Sequence, residues 1–199
     1  MLKNQITLQN SRRELLQAKW VFYLFVASLG MFFLATITSY CLIRTQAFQP
    51  IKREYAQLEL PWLFWPSTAL LIMAGIALQR SVWLIRRERM QAFRRWLTLA
   101  LLAAILFVAV QVFAMRELIE AFRQSFDGTT KAYGLCFTLA LVHALHVLAG
   151  IVFIVFVFIQ SHRGRYDHER HWAVDNCAGY WHFLDVVWFV MLAAFLITK

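Results

Sequence analysis

Charge is what this chain has least of. Of its 199 residues, 16% are charged and only 11 are acidic, whereas a soluble domain carries about 25% charged residues. Hydrophobic residues make up 61% and come in long blocks, which excludes an ordinary soluble fold and implies an integral membrane protein. No Gly-rich phosphate loop, nucleophile elbow or CxxC pair is present, so the residues display no catalytic machinery of those kinds. The three cysteines, Cys41, Cys136 and Cys177, lie in or beside apolar segments and read as small core hydrophobes. There is no repeat period and no hydrophilic domain. A signal-peptide pattern is missing too: the first apolar run is too long and lacks a small-residue cleavage site after it, so it is expected to remain as a first span.

The charge that is present is mostly basic, with a net +9. It sits in short segments between apolar blocks, which is where membrane topology places it, so nucleic acid is not an expected partner. The expected fold class is all-α: a polytopic membrane protein with a five-transmembrane-helix bundle. A polar N-terminal arm at 1–19 precedes a transmembrane domain at 20–199, with spans at about 20–43, 60–79, 96–115, 132–161 and 176–198. Pro61 suits a helix start. Pro66 lies inside the second span and should bend its first turns unless the freed carbonyl finds another donor. Arg80–Arg95, with six arginines, reads as a connection. Thirteen lysines and arginines fall on the side of the N-terminal arm and seven on the other. That bias puts the N-terminus in the cytoplasm and the C-terminus outside.

Four ionisable residues stand out at membrane depth: His143 and His146 on span four, His182 and Asp185 on span five. Each pair is three apart and so shares a helix face. Burying such groups in lipid is costly, so they need partners. At 1.5 Å per residue, Asp185 lies roughly 14 Å and His146 roughly 18–20 Å from the inner ends of their spans. Consecutive spans joined by a short loop pack together, which nominates His146 as the partner of Asp185. Three readings follow. The leading one is a hydrogen-bonded network that locks the two spans; the others are a proton relay and a transition-metal site. No other carboxylate lies deep in the apolar spans, which counts against metal. His162, His168 and His171 sit among arginines that repel cations, and read as a solvated loop. Trp62, Trp65, Trp181 and Trp188 read as lipid, interface or packing contacts.

Tyr180-Trp181-His182-Phe183-Leu184-Asp185-Val186-Val187-Trp188 closely resembles a signature of subunit III of the haem-copper terminal oxidases. His143-Ala144-Leu145-His146-Val147-Leu148-Ala149-Gly150 resembles that family's other signature, on the preceding span. Ala27-Ser28-Leu29-Gly30-Met31-Phe32-Phe33 and Gln111 with Arg116-Glu117-Leu118 are weaker matches. The resemblance covers the chain from Trp20 onward and implies the short five-helix bacterial form. The longer form has two further helices that enclose a lipid-filled cleft.

The resemblance also implies an accessory subunit without a redox centre or metal of its own. It would pack against subunit I, which carries haem and copper, together with subunit II, in the bacterial inner membrane. Its expected roles are to stabilise the catalytic subunit, to sustain proton uptake and to hold structural phospholipid. The expected complex reduces O2 to water, with cytochrome c the favoured donor and quinol the runner-up. His146, His182 and Asp185 match buried polar positions of the family. Where many members have a glutamate after the serine, this chain has Leu29, so no role of that carboxylate carries over. Two alternatives stay open: a subunit III-like protein of nitric oxide reductase, and a free-standing proton-coupled carrier.

Overall fold

In lipid every backbone N–H and C=O must be satisfied within the protein, and an apolar chain does this by coiling into helices. The computed structural model describes residues 2–44, 61–124, 130–163 and 172–197. They form α1 (Leu2–Arg44), α2 (Phe64–Ile85), α3 (Met90–Gln124), α4 (Thr130–His162) and α5 (Trp172–Ile197). All five are long and apolar enough to cross a membrane.

The chain divides into two compact units after Ala35. The first is the leading part of α1. Its apolar stretch begins at Lys19, and Trp20, Tyr23, Leu24 and Phe32 expose their side chains, as a span facing lipid does. The second unit starts at Thr36. In it α2 packs on α3, α3 on α4, α4 on α5, and α5 returns to α2, which closes a ring of four helices. The last turns of α1 join this unit through Tyr40, whose ring meets Phe195 edge-on at 5.2 Å.

Lipid tails are as apolar as leucine, so burial of apolar area does not hold such a ring together. Close packing and hydrogen bonds do. Small residues accordingly fill buried positions: Ala74 and Ala77 on α2, Ala100, Ala103 and Ala104 on α3, Ala140 on α4 and Ala178 on α5. Gly150 on α4 is the tightest case against α5. A Cβ there would stand 3.2 Å from Cζ3 of Trp181 and 3.3 Å from Cδ1 of Leu184.

Several boundaries differ from expectation, the third helix among them, which runs over Met90–Gln124 where the expected span is 96–115. The second span starts at Phe64 and runs to Ile85, beyond the expected end at Gln79. Pro66 therefore sits in the first turn, where its missing N–H is one of the helix's orphan donors in any case. The carbonyl it would have bonded, Trp62 O, accepts from Trp65 N–H at 3.2 Å instead. No bend is needed. The connection to α3 shrinks to Arg86–Arg89, where Glu88 takes a left-handed φ of 58°. Arg89 N–H then donates back to Leu84 O at 3.1 Å, a Schellman-type stop that satisfies a terminal carbonyl. The fifth helix begins at Trp172, earlier than expected, and has Asp175 in its first turn. Arg86 Nη2 donates to Asp175 Oδ1 at 3.1 Å, tying α2 to α5. Beside it, Arg94 Nη2 donates to Ser161 O at 3.0 Å and ties α3 to α4.

Candidate functional site

The chemistry gathers on α5, which carries two neighbouring stripes. Trp181, Leu184, Trp188, Met191 and Phe195 recur at helical spacing and are buried; they face the inside of the ring. His182 and Asp185 lie one step around the helix and face the seam with α2.

Trp188 is the hub of the inner stripe. Its ring meets Phe64 of α2 edge-on at 5.5 Å, Phe107 of α3 at 6.1 Å and the His143 imidazole of α4 at 5.2 Å. Its indole N–H donates to Thr68 Oγ1 at 2.8 Å, and that hydroxyl donates to Phe64 O at 2.6 Å. One side chain thus touches all three other helices of the ring. Trp181 donates its N–H to Leu71 O at 3.4 Å and fills the space that Gly150 leaves. Trp181 and Trp188 are 0% and 1% exposed, so they are core residues and not lipid contacts. The reason is local: α2 offers each indole N–H an acceptor, and Gly150 makes room. Trp62 and Trp65, at the start of α2, are 70% and 62% exposed.

The polar pair sits at the seam. His182 Nδ1 lies 3.3 Å from Asp185 Oδ2, and His182 Nε2 lies 3.1 Å from Gln79 Oε1. Asp185 reaches α2 because Gly75 is there: a Cβ at that position would be 2.5 Å from Asp185 Oδ2. The His182 side chain is 45% exposed and that of Asp185 14%. Both ring nitrogens face acceptor oxygens, and a neutral imidazole donates from only one. Two forms satisfy the geometry without net charge: an imidazolium against a carboxylate, or a carboxylic acid donating to Nδ1 while Nε2–H donates to Gln79. Turning the Gln79 amide would suit a neutral ring beside a bare carboxylate, but would leave a net charge at membrane depth. In either form His182 links Asp185 to Gln79 across the α2–α5 seam, with its side chain partly exposed.

The expected partnership of His146 with Asp185 does not form. Asp185 bonds His182 on its own helix, and its Oδ1 is buried with no hydrogen-bond partner among the described residues. His146 turns to its own helix, where Nδ1–H donates to Val142 O at 2.7 Å. What joins α4 to α5 here is Tyr180, whose hydroxyl donates to His146 O at 3.1 Å. His143 is fully buried against Trp188. The four nominated residues therefore fall into two places, the seam and the core. Gln79 is a site residue that the sequence reading does not nominate, because it is the last residue of the expected span and so stands at its boundary. Because α2 runs on to Ile85, Gln79 lies within the helix, four residues from Gly75 on one face.

Among the described residues, no three His, Cys, Asp or Glu side chains come together as a metal site. His162 stacks on Phe158 at 4.5 Å; His168 and His171 lie outside the described residues.

Comparison with known proteins agrees with the two signatures. The chain is 29% identical over 173 residues to the probable cytochrome c oxidase subunit 3 of Nocardia farcinica, covering 85% of this chain and 82% of that one. It is 28% identical over 172 residues to cytochrome c oxidase subunit 3 of Synechocystis, covering 84% and 70%. For the same subunit of Thermostichus vulcanus the identity is 26% over 179 residues, covering 88% and 85%. Residues 15–198 match the family described as cytochrome c oxidase subunit III, a stretch that takes in the core hub and the polar seam, and the chain belongs to that family.

Proposed function

We propose that this chain is the accessory subunit III of a proton-pumping haem-copper oxidase that reduces O2 to water with cytochrome c as donor. Haem and copper reside in subunit I, against which the chain packs alongside subunit II in the bacterial cytoplasmic membrane. Its N-terminus faces the cytoplasm and its C-terminus the outside. The family match over residues 15–198 carries this reading. The site suits a supporting role in two ways. Trp188 locks four helices into a fixed scaffold, and the His182–Asp185–Gln79 group keeps an exchangeable proton on a half-open face of it. A scaffold with such a face stabilises the catalytic subunit and supports its proton uptake.

Purification of the tagged chain in mild detergent tests the reading. Co-migration with a protein showing a haem a reduced-minus-oxidised spectrum and cytochrome c oxidation is expected. A stable haem-free species that carries out proton-coupled transport would overturn it.

A further inference from the structure

The outward face of α5 carries more than lipid asks for. Gly179, His182, Val186, Phe189 and Ala193 are partly or fully exposed and recur at alternating steps of three and four, the spacing along which one helix lies against another. Gly75 and Gly150 each make room for side chains of α5, whereas a Cβ at Gly179 would meet nothing within 4 Å. A glycine weakens the interior of a helix, and a membrane helix gains from one where a second backbone comes close. One turn on, His182 comes about 15 Å along α5 from Trp172, midway through a hydrocarbon core about 30 Å thick. There its side chain is 45% exposed. Acyl chains at that depth offer no hydrogen bond, and ionisable side chains in a membrane face protein or water.

The polar groups left free around His182 are donors. Gln79 Oε1 faces His182 Nε2 at 3.1 Å, and the Gln79 amide nitrogen has no acceptor among the described residues. Arg80, next on α2, is exposed and lies about 7.5 Å inside the helix end at Ile85. It forms no ion pair among the described residues. A carboxylate brought to this patch meets an amide donor and a guanidinium, and neutralises a charge that the surrounding hydrocarbon cannot.

We infer, on the reading of the chain as an oxidase subunit, that the α2–α5 face docks one transmembrane helix of the haem-bearing subunit. That helix sets a small residue against Gly179 and a carboxylate against Gln79 and Arg80.

A photo-cross-linking residue, p-benzoylphenylalanine, tests this when placed at Val186 or at Leu106, which is exposed on α3, and irradiated in membranes holding the assembled complex. Val186 should cross-link to the haem-bearing protein and Leu106 should not. Gly179→Leu, which the open space accommodates within the chain itself, should reduce the haem that co-purifies about tenfold, as a side chain forced into a packed contact does. Arg80→Leu should reduce it too, and Arg80→Lys, which keeps the cation, should retain most of it. Normal haem recovery with cross-links from Leu106 and none from Val186 overturns the docking face and leaves the subunit assignment standing. Undiminished recovery in both Gly179→Leu and Arg80→Leu does the same, as does a Val186 cross-link to a second copy or within the chain. If no haem protein accompanies the unmodified chain, both fall.

Discussion

At the scale of single residues, Gly75 decides what Asp185 can do. The carboxylate occupies the space that a methyl group on α2 would take, and from there it reaches His182. Gly75→Ala must push the carboxylate aside and break that bond while adding only one carbon. Asp185→Asn keeps the shape and removes the proton-holding group. Each variant should lower stability by about 1 kcal/mol, in the range of single polar contacts between membrane helices. Because both remove the same interaction, the double variant should lose little more than either single one. Unfolding in mixed micelles measures this. Additive losses would show that Gly75 and Asp185 act separately. His146→Ala should be milder than either, since its imidazole bond is to the backbone of its own helix.

At the scale of elements, the pairing of α4 with α5 rests on Gly150. Its missing side chain lets the Trp181 ring and Leu184 approach the α4 backbone. Gly150→Ala requires the ring to give by a few tenths of an ångström. Gly150→Val forces the helices apart and should cost about 1–3 kcal/mol, as overpacking of a dense core does. A red shift of tryptophan emission should accompany it as Trp181 and Trp188 loosen. An unchanged spectrum and unfolding midpoint would count against this packing. How far such elements can be read from sequence depends on what they rest on. Number and approximate place of the spans follow from apolar run length, because lipid sets that length. The ends do not, because a charged residue need not mark one: Arg80 belongs to α2, and Asp175 belongs to α5, where its carboxylate accepts from Arg86. Neighbours on the chain were also legible, since short connections keep them together. The rotation of each helix about its axis was not. His182 and Asp185 face α2 rather than α4, and the only hint of this was Gly75, one small residue among many.

At the scale of the whole molecule, arginine is concentrated at one end of the ring. Arg86, Arg87, Arg89, Arg94 and Arg95 stand at or beside the α2–α3 turn, and Arg163 closes α4 at the same end. Against these six arginines stand the carboxylates of Glu88 and Asp175; Asp175 pairs with Arg86, both side chains partly exposed, which contributes about 0.2–1 kcal/mol at most. This end therefore keeps a strong positive charge when folded. Carrying it across the bilayer is opposed by the membrane potential, at about 2.3 kcal/mol per charge for each 100 mV. Retention on the cytoplasmic side is the predicted outcome, and five spans among the described residues would then put the start of α1 and the end of α5 on opposite faces. Gln91 is exposed at this turn; Cys136 and Cys177 are buried and Cys41 is partly exposed, so Gln91→Cys in a Cys41→Ser background adds a thiol that can be read above that of the Cys41→Ser parent. A membrane-impermeant maleimide should label this variant in inside-out vesicles and not in intact spheroplasts. The reverse pattern would invert the topology.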